Sequence, residues 1–168
     1  MAFETPSLFL YMTTILVICS GNTCRSPVGE AILKQKLAEN GLFDWVVQSA
    51  GTRAVEGQPA STHGLELCRE LFDIDLSAHQ SKKVDSNTLN AANLVLCMTA
   101  QHQKDLLKLD AENQLKIKLL AKMYSEDRFD VPDPFGQDKE AYRRMITTVS
   151  NLIDEGLPSI IDACKCIG

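Results

Sequence analysis

Apolar positions along this chain fall into short unbroken runs, with longer stretches of helical spacing between them. Ile15-Leu16-Val17-Ile18 is continuously apolar, as a strand must be when both faces of its sheet are covered. Val46-Val47-Gln48-Ser49, Leu94-Val95-Leu96-Cys97-Met98 and residues 117–120 are the other strand-like runs. Ser26-Pro27 marks a helix start, since proline is tolerated in a first turn. That helix runs through Ala31, Ile32 and Leu37 and stops near Asn40-Gly41. A second helix follows Pro59 and Ser61, sets Leu65, Cys68 and Phe72 on one side, and ends near Asp73. Residues 81–90 are polar and read as a loop or short helix, and a further helix spans about 101–109. Residues 124–137 are irregular, with Pro132, Pro134 and Gly136 as breakers. In the last helix Tyr142, Met145, Ile146, Val149, Leu152 and Ile153 keep helical spacing, and Gly156 is expected to end it.

Four strands alternating with about five helices predict an α/β fold. The expectation is a single-domain three-layer sandwich, a four-stranded parallel sheet flanked by helices. The predicted domain covers residues 14–157, with an N-terminal leader at 1–13 and a C-terminal tail at 158–168. In such open sheets ligands bind outside the carboxyl ends of the strands, so the loop between strand 1 and helix 1 is the place to look.

Composition narrows this picture. At 168 residues, 45% hydrophobic and 23% charged, the chain has room for one core and is not a disordered sequence. Lys and Arg are outnumbered 17 to 22, which argues against nucleic acid as a partner. Any bound anion must be held by a local site rather than by the net field. The apolar run at 8–19 is interrupted by Thr13 and Thr14 and is too short for a membrane span. The first eleven residues carry Glu4, no Lys or Arg and no small-residue cleavage site, so no secretory signal is read and Met12 is a candidate internal start. Six cysteines are too few for a disulfide scaffold of this length; they are expected as thiols in a reducing cytoplasm.

The loop after strand 1 is Cys19-Ser20-Gly21-Asn22-Thr23-Cys24-Arg25-Ser26-Pro27. A Cys and an Arg bracket five residues between a buried strand and a helix start, which is an anion cradle. Gly21 lets the backbone curl, and Asn22 tolerates left-handed geometry that turns successive N–H groups inward. The helix N-terminus adds unpaired N–H groups, and Arg25 offers a planar fork to two phosphate oxygens. The same surroundings favour the thiolate of Cys19. Its attack on phosphorus would yield a cysteinyl phosphate. A Walker-type loop is excluded because no Gly-Lys-Ser/Thr follows.

This run closely resembles the signature loop of the low-molecular-weight protein tyrosine phosphatases. The resemblance spans roughly residues 14–155 and takes in Ser49-Ala50-Gly51, residues 94–98 and Asp133-Pro134-Phe135. It implies Cys19 as nucleophile, Arg25 as transition-state clamp, and the backbone N–H groups of residues 20–25 as the rest of the cradle. A mobile carboxylic acid is needed to protonate the leaving group and later activate water. Glu126, Asp127, Asp130 and Asp133 are available in the irregular segment. Asp133 is chosen because flanking prolines restrict its backbone, and the resemblance also puts the general acid there. By resemblance, Asn22, Ser26, Ser49 and His79 form a hydrogen-bonded network that holds the cradle, with Ser26 beside Cys19 as well as capping the helix. Cys24 is either a small packing residue or, as the family implies, a redox partner that forms a reversible disulfide with Cys19. Cys164 and Cys166 lack companions for a metal site, and His63 and His102 show no ligand spacing and read as surface residues. No metal or organic cofactor is expected. Phosphorylated proteins are the expected substrates, and inorganic phosphate and other oxyanions the expected competitors.

The group attached to the phosphate is read from the walls. Tyrosine-directed members mostly carry Ile at the place of Thr23, while a subgroup acting on phosphoarginine carries Thr. A shorter wall with a hydroxyl favours a guanidinium over a flat ring. Residues 52–56 contain no aromatic, and Phe135 is followed by Gly136 where tyrosine-directed relatives often carry two aromatics. Phe135 can still pack on a ring or an arginine stem. The reading leans to phosphoarginine, with phosphotyrosine as the alternative. A thiol-coupled arsenate reductase would need a further cysteine pair soon after the second helix, and residues 77–93 have none. A non-catalytic phosphate-binding module would lack the nucleophile or the acid, and both are present.

Overall fold

The computed structural model describes residues 12–126 and 129–166. The first eleven residues of the expected leader, and Asp127 among the candidate acids, lie outside them. Four strands form one parallel sheet: β1 (Thr14–Cys19), β2 (Val46–Gly51), β3 (Leu94–Cys97) and β4 (Ile117–Leu119), in the order β2-β1-β3-β4. The helices are α1 (Arg25–Glu39), α2 (Thr62–Phe72), α3 (Ser86–Ala91), α4 (Ala100–Leu109) and α5 (Lys139–Lys165).

β1 shows why both faces read as apolar. Ile15, Val17 and Cys19 point into a core shared with Val28, Ile32 and Leu33 of α1, Leu67 of α2, and Met145, Ile146 and Val149 of α5. Leu16 and Ile18 point into a second core with Leu89 of α3, Leu106 of α4 and Ile117. The sheet is therefore the middle of three layers. Helix α1 lies especially close to it, because a Cβ on Gly29 would come within 2.8 Å of Met98 Cε and 3.1 Å of Val17 Cγ1. β1 is flanked by β2 on one side and β3 on the other, so the chain leaves it in opposite senses. The mouth above the carboxyl end of β1 is the crevice this topology creates.

Boundaries differ from expectation in three places. Gly156 does not end the last helix, which continues through Pro158 to Lys165. A Cβ at Gly156 would sit 3.1 Å from Met123 Cβ, so this glycine serves close packing against the 3-10 turn at Leu120–Met123 rather than a stop. The proline's missing N–H is outweighed because Ile160 and Cys164 extend the buried stripe into residues read as tail. Another 3-10 turn, Ala111–Lys116, was not legible in the pattern. Helix α1 begins at Arg25, with Cys24 at the N-cap position, so Ser26 lies inside the first turn and does not cap it. Among the described residues no helix is long and apolar enough to cross a membrane.

Candidate active site

The loop from Ser20 to Cys24 is held open from outside by its carbonyls. Cys19 O accepts from Thr52 N–H (3.0 Å), Ser20 O from Arg53 N–H (2.9 Å) and Thr23 O from Ser61 N–H (2.9 Å). Asn22 O accepts from His79 Nε2 at 2.7 Å. In a trans peptide the N–H points opposite to its C=O. The N–H groups of Ser20, Gly21, Thr23 and Cys24 are thus turned the other way, toward a cavity of about 230 Å³ lined by Cys19, Arg25, Arg53, Asp133, Phe135 and the loop itself. The left-handed residue that permits this curl is Asn22, at φ 56°, and not Gly21. The tight glycine is Gly51, where a Cβ would meet Ser20 O at 2.3 Å.

Asn22 is fully buried and both polar groups of its side chain are used. Its Nδ2 donates to Ser26 Oγ (2.8 Å) and Ser49 Oγ (3.0 Å), and its Oδ1 accepts from Lys82 N–H at 2.8 Å. The structure thus brings Asn22, Ser26, Ser49 and His79 together. It adds Glu30, whose Oε2 accepts a short hydrogen bond from Ser49 Oγ. Ser26 Oγ accepts from Asn22 and lies 2.9 Å from Cys19 Sγ, with Ala50 O at 3.5 Å, so the serine hydroxyl is placed to donate to the sulfur when that is a thiolate. The sulfur is thereby aimed from the end of β1 into the cavity.

Arg25 is buried, yet its guanidinium reaches three residues on two segments. Nη1 donates to Val131 O (3.2 Å), and Nη2 pairs with Asp133 Oδ2 (3.2 Å) and approaches Ser20 Oγ (3.5 Å). Nε is buried without an acceptor among the described residues. Asp133 stands on a segment tied just beyond β3 by Val131 N–H to Met98 O at 2.9 Å, and its Oδ1 accepts from Phe135 N–H at 3.1 Å. Its side chain is 49% exposed, open to water and to a leaving group. Of the other candidate acids, Asp130 is occupied with Ala100 N–H at the start of α4.

Cys24 lines the same cavity, but its sulfur also lies 3.3 Å from Tyr142 OH. Burial first, and then Cys24, push the Tyr142 phenol up to about 12. His63, read as a surface residue, is half-buried with its ring edge-on to Tyr142 at 5.2 Å. His102, also read as a surface residue, is 3% exposed and sits 2.9 Å from Ser20 Oγ. The one sequence signal for it was Thr99-x-x-His102, the spacing of a helix-capping pair. Burial pushes the Cys68 and Cys164 thiols up to about 12, and Cys97 is pushed up as well, which removes these three as nucleophiles near neutrality. Among the described residues no group of three His, Cys, Asp or Glu is placed to hold a metal ion.

The arrangement can bind a tetrahedral oxyanion under a sulfur nucleophile, with a carboxyl group across the mouth. The family profile described as Low molecular weight phosphotyrosine protein phosphatase matches residues 14–162. A protein-arginine-phosphatase of Geobacillus stearothermophilus is 36% identical over 83% of this chain and 90% of its own. The low molecular weight protein-tyrosine-phosphatase PtpB of Staphylococcus epidermidis is 34% identical over 84% and 94%. The crystal structure of a low molecular weight protein tyrosine phosphatase from T. tengcongensis superposes with a TM-score of 0.82 at 36% identity. It covers 87% of this chain and 98% of that one.

Proposed function

The chain belongs to the low molecular weight phosphotyrosine protein phosphatase family, cysteine-dependent hydrolases, and from that premise we propose that it removes phosphate from arginine in proteins. Cys19 Sγ attacks phosphorus and the P–N bond breaks. Asp133, as a carboxylic acid, hands its proton to the departing guanidine nitrogen. Asp133, now a carboxylate, then takes a proton from the water that attacks the cysteinyl phosphate, and Cys19 leaves as thiolate. The loop N–H groups and Arg25 hold the three equatorial oxygens throughout. Cys24 is proposed to protect Cys19 under oxidation by forming a disulfide with it. Inorganic phosphate and vanadate are proposed to compete.

The observation that carries the chemistry is the meeting, in one cavity, of Cys19 Sγ held by Ser26 with a buried guanidinium paired to Asp133. At about 230 Å³ the cavity accommodates a phosphoryl group and the end of one side chain, so the substrate residue must stand on an exposed segment. The arginine reading is supported by Thr23, half-buried in the wall, whose hydroxyl can accept from a guanidinium. One observation favours phosphotyrosine instead. Arg53 lines the mouth, and a cation there repels a guanidinium while stacking well on a ring.

The deciding experiment compares kcat/KM on a phosphoarginine peptide and on a matched phosphotyrosine peptide, with Cys19→Ser as blank. The expected preference is for phosphoarginine, and Thr23→Ile reverses it. One wall group is worth about 10- to 200-fold in such a ratio. A phosphotyrosine preference in the parent protein overturns the arginine reading and makes Thr23 a neutral wall. Asp133→Ala is expected to lower kcat by roughly 10²- to 10⁴-fold on esters with poor leaving groups and far less on activated aryl esters. Equal losses on both would remove Asp133 from the acid role.

A further inference from the structure

Ser20 Oγ lies between two donors from different elements. His102 Nδ1 accepts the Thr99 N–H at 3.2 Å as part of the α4 cap, so the imidazole proton resides on Nε2. Nε2 therefore donates to Ser20 Oγ at 2.9 Å, and Arg25 Nη2 approaches the same oxygen at 3.5 Å. With its lone pairs so occupied, the hydroxyl keeps one free function, its own proton. Ser20 lines the cavity beside Cys19. The linkage spans 82 residues and joins α4 to the loop after β1.

We propose that His102 is a positioning residue for the phosphate site: by holding Ser20 Oγ as an acceptor, it turns the Ser20 hydroxyl into a donor to a phosphoryl oxygen. This rests on the reading of the cavity as a phosphatase site. The charged groups facing His102 are Arg25 from α1, Asp105 on its own helix, and Asp130 and Asp133 from the segment before α5. Burial, and then Arg25, hold the imidazole down at about 4 against the opposing pull of the three carboxylates. The ring thus stays neutral, with its proton on Nε2, across the pH range of the assay.

A mutant cycle tests this, using para-nitrophenyl phosphate for turnover and vanadate for binding. His102→Asn keeps an acceptor near the Nδ1 position for Thr99 but no longer reaches Ser20; His102→Gln can return an N–H to the Nε2 position. Ser20→Ala is expected to lose about 10- to 100-fold in kcat/KM, the worth of one hydrogen bond to a charged oxyanion. His102→Asn loses a similar factor in the parent but little in the Ser20→Ala background, and His102→Gln recovers part of it. The ratio of parent to His102→Asn activity stays flat from pH 5 to pH 8. Equal losses in both backgrounds, or an inflection of that ratio near the ordinary histidine value of about 6.5, overturn the proposal by making His102 a structural or exposed group. A parent protein with no turnover of the ester overturns the proposal together with its premise, which separates the two failures.

Discussion

Cys19→Ser is expected to abolish turnover of an aryl phosphate, a loss of roughly 10⁶-fold as for other removed nucleophiles, while phosphate binding survives. The separation follows from which atoms do each job. Binding draws on the loop N–H groups, held inward by the outward ties of Cys19 O, Ser20 O, Asn22 O and Thr23 O, and on Arg25. None of these depends on the sulfur. Turnover depends on a sulfur that attacks phosphorus and then leaves again as a thiolate, and a serine oxygen in the same place is the poorer nucleophile and leaving group. Serine also keeps a hydrogen bond with Ser26 within reach, so the network around Asn22 stays satisfied. Calorimetric titration with inorganic phosphate should give a Kd within a few-fold of the parent value. A variant that kept a tenth of the activity would remove Cys19 from the mechanism. One that lost phosphate binding as well would mean the loop collapses without the sulfur.

Most of the cradle was legible because its chemistry is contiguous. Cys19 through Ser26 are eight successive residues, and the strand before them is announced by four apolar residues in a row. A short loop joined to a buried strand has few ways to fold, and an Asn at its turn names the left-handed position that the structure gives to Asn22. The far partners were less legible. Glu30 lies 19 residues from Ser49 and His102 lies 82 from Ser20, distances that only the sheet order and the packing of α4 close. The spacing Thr99-x-x-His102 marks a helix start but does not say that the histidine is buried or what its far nitrogen meets. The end of α5 failed for a related reason. Gly156 and Pro158 are locally breakers, but the packing of Ile160, Cys164 and the Met123 contact overrides them, and that packing is tertiary. The walls behave likewise: Arg53 was noted in the sequence only as not aromatic, whereas its place at the cavity mouth bears directly on which substrate enters.

Arg25→Lys should be the most damaging change after loss of the nucleophile, although it conserves the charge. An arginine that neutralises phosphoryl-transfer charge contributes about 10³- to 10⁵-fold in kcat, and the geometry here explains why lysine cannot substitute. The guanidinium is bound along one edge, through Nη1 to Val131 O and through Nη2 to Asp133 Oδ2. That fixes its plane and leaves the buried Nε–H without an acceptor among the described residues. An unpaired buried N–H costs about 1–3 kcal/mol, a penalty that an oxyanion in the cavity relieves. The Nε–H then offers an equatorial oxygen a donor whose direction is fixed by the other guanidinium contacts, which a lysine ammonium cannot reproduce. Lysine would also leave Val131 O unpaired and loosen the segment that carries Asp133, so the acid and the clamp would fail together. The expected signature is a fall in kcat of at least 10³-fold with a much smaller change in KM. Vanadate, which takes the five-coordinate geometry of the transition state, should lose far more affinity than phosphate. Equal losses for phosphate and vanadate would show that Arg25 binds ground state and transition state alike, and the clamp would then belong to the loop N–H groups alone.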